Sequence, residues 1–176
     1  MYATGRAGTS PALSTKTIRR SAWPLAPSCS SGNGSKPITL ELALILSLIA
    51  HLFGDYILQT HAMATQKTSS WKYAILHGVT YGIPFIVATH SVAALLVIVV
   101  THIIIDRYRL ARHLMWFKNQ FAPKEFRPSR ETMKTTGFPA ETPAWLATWV
   151  MIIADNAVHL AINTAAIIFL GTFWVL

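Results

Sequence analysis

From Ile38 onward the chain is written in long apolar blocks separated by short polar punctuation, and residues 1–37 carry no such pattern. "ITLELALILSLIAHLFGDYILQ" is long enough to cross a bilayer as one helix, since about 20 residues at 1.5 Å each span the hydrocarbon. The polar stretch "THAMATQKTSS" reads as a turn. A second span is predicted from about Trp71 to Thr89, kinked at Pro84, with Trp71 and Lys72 as interface anchors. A very short link near His90 and Ser91 makes spans two and three a hairpin, and the third, "SVAALLVIVVTHIIID", runs on into "RYRLARHLMWFKN". Residues from about Gln120 to Thr142 read as a polar, Pro-containing surface loop. The last block holds 34 residues with no Pro after Pro143, more than one bilayer needs, so it must tilt, protrude, or break near Asn163 and Thr164.

The expected fold is thus all-α: an integral membrane bundle of four transmembrane helices, or five if the last element breaks, over residues 38–176. Residues 1–37, rich in Ser, Gly, Pro and Ala with five basic and no acidic residues, read as a disordered basic tail. A transit peptide would share that composition, but the block lacks the apolar centre of a secretory signal.

Composition agrees. Hydrophobic residues make up 52% and charged residues 12%, the latter about half the usual share of a soluble domain. Mean hydropathy is +0.41. The 15 Lys and Arg against 7 Asp and Glu mark the flanks of membrane spans rather than a nucleic-acid partner. Most lie between spans three and four, with Lys67 and Lys72 between one and two. The expectation is a multi-pass protein of the inner (cytoplasmic) membrane with both basic loops in the cytoplasm and the termini outside. Cys29 is the only cysteine, which excludes an internal disulfide and a thiolate cluster.

Candidate chemistry lies within the apolar blocks. The chain has three aspartates, Asp55, Asp106 and Asp155, each with a histidine four positions away: "HLFGD" (His51), "HIIID" (His102) and "DNAVH" (His159). On a helix this spacing puts both side chains on one face, a turn apart. An Asp near the centre of a span costs about 3 kcal/mol on insertion scales, so each needs an inward partner. Depth along the spans brings these six residues and His77 to one level. Neutral imidazole and carboxylate suit a divalent metal (Zn, Mn or Fe), in one or two ions. The expected ligands are His51, Asp55, His102, Asp106, Asp155 and His159, with His77 a further ligand or the general base. Gln59 and Asn163, one turn beyond a pair, can hold a ligand or water in place, whereas Asn156 is expected to face elsewhere. Arg107 and Arg109 serve either as topology signals or as a phosphate-steering pair. A purely structural hydrogen-bonded set and a proton relay are the competing readings of the same residues.

At "HLFGDYILQT", "LHGVTYGIPF", "THIIIDRYRLAR" and "IIADNAVHL" the chain resembles domain-of-unknown-function family 3307, small multi-pass membrane proteins of bacteria and their tailed phages. The likeness covers residues 38–176 and implies the membrane topology and the polar positions, without an activity. A shorter likeness, in the intramembrane His/Asp spacing, is to bacterial membrane proteins described as metal-dependent hydrolases. The leading expectation is a metal-dependent hydrolase of a phosphate- or ester-bearing substrate, a lipid or a small molecule reached from the membrane face. The alternative is a non-enzymatic membrane protein: a proton or ion pathway, or a phage-encoded holin-like or host-modifying factor.

Overall fold

The computed structural model describes residues 38–171, all of whose regular structure is helical. The tail of residues 1–37 and Trp174 lie outside the described residues. Thr39 caps α1 (Leu40–Leu52), its hydroxyl accepting from the Leu42 N–H at 3.3 Å. The helix then widens into a π-helical turn, Phe53–Ile57. Next comes α2 (His61–Gln66), where a turn was expected; Thr60 caps it, accepting from Met63 N. After α3 (Trp71–Gly82) the chain turns at Pro84, which lacks the N–H needed to continue, and gives a short α4 (Phe85–Ala88). The tight link expected at His90 and Ser91 is present: Ser91 caps α5 (Val92–Tyr108).

The expected run from the third span into the following segment is interrupted. Arg109 adopts a left-handed conformation, φ 52°, and the chain restarts as α6 (Leu110–Asn119). Two 3-10 turns, Lys124–Phe126 and Thr132–Lys134, punctuate the loop before α7 (Ala144–Leu170). That last helix is unbroken through Asn163 and Thr164, both buried, so the fifth element does not form.

Two helical segments among the described residues, Leu40–Ile57 and Ala144–Leu170, are long and apolar enough to cross a membrane. The other two expected spans are shorter as helices, since Pro84 divides one and the other has 17 residues.

Helices α1 and α7 pack together, α5 packs on both α3 and α7, and α6 lies against α7. Gly78 and Gly82, four apart on α3, let α5 come near: a Cβ on Gly78 would sit 2.2 Å from Ile103 Cγ1, and one on Gly82 2.6 Å from Val99 Cγ2. That contact brings His77 of α3 against His102 of α5. An apolar core of Ala43, Ala50, Phe85, Ala88, Ile98, Ala166 and Ile167 closes around Tyr81. Beyond it, toward the end where α1 and α5 finish and α3 and α7 begin, the interior turns polar: His51, His77, His102, Asp106 and His159 are all buried.

Candidate metal centre

The π-helical turn sets the first candidate ligand, Asp55. One extra residue wound into the turn alters the simple i,i+4 geometry, so Asp55 faces α3 more closely than its sequence partner. Its Oδ1 lies 3.0 Å from His77 Nε2, whereas Oδ2 is 3.7 Å from His51 Nε2. On α5 the expected spacing holds. Asp106 Oδ2 lies 3.2 Å from His102 Nε2 and 3.2 Å from His77 Nε2. His102 stacks on Tyr81, ring centroids 3.5 Å apart, and its Nε2 meets His77 Nε2 at 2.9 Å and Asp55 Oδ1 at 3.5 Å.

Four atoms from α1's continuation, α3 and α5 therefore converge: Asp55 Oδ1, His77 Nε2, His102 Nε2 and Asp106 Oδ2. A tetrahedral ion with ligands near 2.05 Å holds those ligands about 3.3 Å from one another. The five separations quoted for this group, 2.9 to 3.5 Å, bracket that value. Hydrogen bonds within the cluster compete for few protons. Only one hydrogen can lie between two imidazole nitrogens 2.9 Å apart, and both nitrogens also face carboxylates.

Asp106 also belongs to a second group, with Asp155 and His159 of α7. His159 Nε2 is buried without a hydrogen bond, 3.4 Å from Asp106 Oδ1 and 3.6 Å from Asp155 Oδ2. An orphaned nitrogen facing two carboxylate oxygens suits a cation: a metal ion or, where the ring accepts at Nδ1, its own proton. Asp106 thus turns one oxygen toward each group, and Asp155 is the most exposed member, its side chain 28% accessible.

Other expected residues fall differently. His51 belongs to neither group: Tyr81 Oη lies 2.8 Å from its Nδ1 and Asn156 Oδ1 3.1 Å from its Nε2. Asn156, expected to face elsewhere, turns toward α1, where its Oδ1 also accepts from Tyr56 Oη at 3.2 Å; the two helices pack closely enough for residue 156 to meet them. Asn163 donates to Tyr81 Oη at 2.6 Å and so reaches His51 through the phenol. Gln59, its amide turned so that donors meet acceptors, donates to the Asp55 carbonyl at 3.2 Å and accepts from Lys67 Nζ at 2.8 Å. His77, considered as ligand or base, lies among the converging atoms.

Lys67 was not read as a site residue. It ends α2, and its Nζ reaches Asp106 Oδ2 at 2.6 Å and lies 3.4 Å from His77 Nε2. A lone lysine in a polar turn carries no periodic signal; its place follows from α2, which the structure shows capped by Thr60. The two arginines part company at the end of α5. Arg107 donates to the carbonyls of Thr68 and Ser69 and lies over the Trp71 ring at 5.3 Å, pinning the segment after Lys67. Arg109 instead lines a cavity of about 370 Å³ with Lys67, Thr68, Asp106, Met151 and Asp155. That cavity borders the cluster at Asp106 and Asp155.

No curated protein and no solved structure matches the chain. A family model does, over residues 43–171, a stretch that contains every residue of both converging groups. The chain belongs to the family described as protein of unknown function, DUF3307.

Proposed function

We propose that this is an integral membrane metalloprotein, a bundle of four crossing elements that holds a divalent ion (Zn, Mn or Fe) and hydrolyses a phosphate- or ester-bearing substrate entering from the cytoplasmic membrane face. The inverted distribution of polarity supports the membrane setting. Large apolar side chains are exposed along each element, among them Leu42, Ile49, Phe53, Ile75, Val87, Leu96 and Ile153, while histidines and an aspartate fill the interior. Helix α5, at 17 residues, reaches about 25 Å, within the range for a tilted or slightly thinned crossing. Exposed Trp71, Trp145 and Trp149 suit interface positions. The basic residues of the 66–72 and 107–134 stretches adjoin the cluster's end of the bundle, which supports a cytoplasmic opening.

One observation carries the reading: two imidazole nitrogens and two carboxylate oxygens, from three parts of the chain, converge at ligand-to-ligand spacing. Asp55, His77, His102 and Asp106 would hold the ion. Such an ion polarises a phosphoryl or carbonyl oxygen and acidifies water. Asp155, open to the cavity with His159 behind it, is placed to take the proton of the attacking water as the leaving oxygen departs with its electron pair. Elemental analysis of detergent-purified protein tests the reading: wild type should carry stoichiometric metal, lost on chelation and in Asp106→Ala. Metal-free wild type, prepared without chelator and unresponsive to added Zn²⁺, Mn²⁺ or Fe²⁺, would reject it.

A proton pathway is the second reading, favoured by the chain Asn163, Tyr81, His51, Asn156, Tyr56, which runs from the buried interior to an exposed phenol. It predicts proton flux in liposomes that Tyr81→Phe abolishes.

A further inference from the structure

The cavity beside the cluster holds two cationic side chains, Lys67 and Arg109, and two carboxylates, Asp106 and Asp155. Without an ion these charges cancel, and Lys67 is committed, its ammonium 2.6 Å from Asp106 Oδ2. That oxygen is also one of the four converging on the proposed ion. An ammonium and a divalent ion cannot both take it at close range, because like charges repel strongly where water is scarce. Lys67 has somewhere to go: its side chain is 19% accessible, it ends the six-residue helix α2, and the cavity lies alongside. Arg107, bonded to the Thr68 and Ser69 carbonyls, keeps the backbone beyond it in place while the side chain moves.

Resting on the metal reading above, we propose that Lys67 is a tethered stand-in for the ion, and that metal binding releases it to form, with Arg109, a binding site for a phosphate group. The anion site is thus assembled by the metal. With a divalent ion in the cluster the cavity changes from neutral to net positive, and a dianionic phosphate meets an ammonium and a guanidinium fork together. Ala64, Ala111, Met151 and Ile152 supply an apolar wall, which suits a phosphate carried on an amphiphile better than a bare ion. By linkage, phosphate must tighten metal as much as metal tightens phosphate.

The test measures Mn²⁺ affinity of the detergent-purified full chain by electron paramagnetic resonance, alone, with inorganic phosphate, and with short-chain phosphatidic acid. The expected result is a roughly tenfold tightening by phosphate, in the usual range of coupling between sites. A larger effect from phosphatidic acid assigns the site to lipid phosphate; an equal effect assigns it to the free anion. Lys67→Met should bind Mn²⁺ at least as tightly as wild type, since the competing ammonium is gone, and lose most of the coupling. Arg109→Gln should keep Mn²⁺ affinity and lose part of the phosphate coupling. Mn²⁺ binding that neither phosphate form alters overturns this proposal and leaves the metal centre standing. Loss of Mn²⁺ in a folded Lys67→Met protein also overturns it, by making the lysine a support rather than a competitor. Failure of wild type to bind any of the three metals removes the metal centre itself.

Discussion

The two converging groups share Asp106 and differ in almost everything else. The first draws on α3, α5 and the π-helical turn, with both histidines at most 1% accessible and separations down to 2.9 Å. The second lies between α5 and α7, with separations of 3.4 and 3.6 Å to His159 Nε2 and with the Asp155 side chain 28% accessible. Proton placement sharpens the contrast. His102 Nδ1 and His159 Nδ1 are 3.3 Å apart, so one donates and the other accepts. A neutral ring that accepts at Nδ1 carries its proton on Nε2 and cannot ligate there. With this bond in place only one of the two rings offers Nε2 to an ion, and His102 stands in the tighter group. The lesson is a division of labour. On the proposed function, one group would hold and the other admit.

The comparison breaks most readily at Asp106. Asp106→Ala should lower metal affinity by well over 100-fold, beyond the 10- to 100-fold typical of outer partners, and should leave no ion on the chain in elemental analysis. His102→Ala should cost nearly as much, whereas Asp155→Ala should leave one ion per chain in place while ending turnover of any substrate found. Equal metal loss in the Asp155 and His102 variants would erase the distinction. Tyr81→Phe removes the phenolic hydroxyl bonded to His51 and Asn163 but keeps the ring under His102. It should weaken metal by about tenfold or less, the lower end for a supporting residue. The mildest change for the metal is Gly78→Ala: its methyl meets Ile103, so overpacking should destabilise the bundle by about 1–3 kcal/mol. Denaturation in mixed micelles reads that loss, and metal stoichiometry in the surviving fold should stay at one.

Much of this was legible because hydrophobic periodicity and four-residue spacing are properties of the α-helix itself. "HIIID" and "DNAVH" lie on continuous α-helices, and their residues meet at the expected depth. "HLFGD" misled in part: it runs from an α-helix into a π-helical turn, a change of winding that no residue in "FGDYI" announces, so His51 is separated from the ligands while Asp55 joins them. Lys67, Tyr81 and Asn156 were missed for another reason. Each reaches the site across a helix interface, and such contacts depend on crossing geometry, here fixed on α3 by Gly78 and Gly82, rather than on spacing within one helix. Arg107 and Arg109 looked equivalent until the left-handed residue sent them apart.

That left-handed residue has a cost of its own. An arginine at φ 52° gives up about 1–2 kcal/mol that glycine would keep, yet Arg109 lines the cavity beside the cluster. Arg109→Gly should therefore raise the melting temperature while blunting any response to phosphate. A sturdier protein that does less would be the mark of a position held for its task at the expense of its architecture.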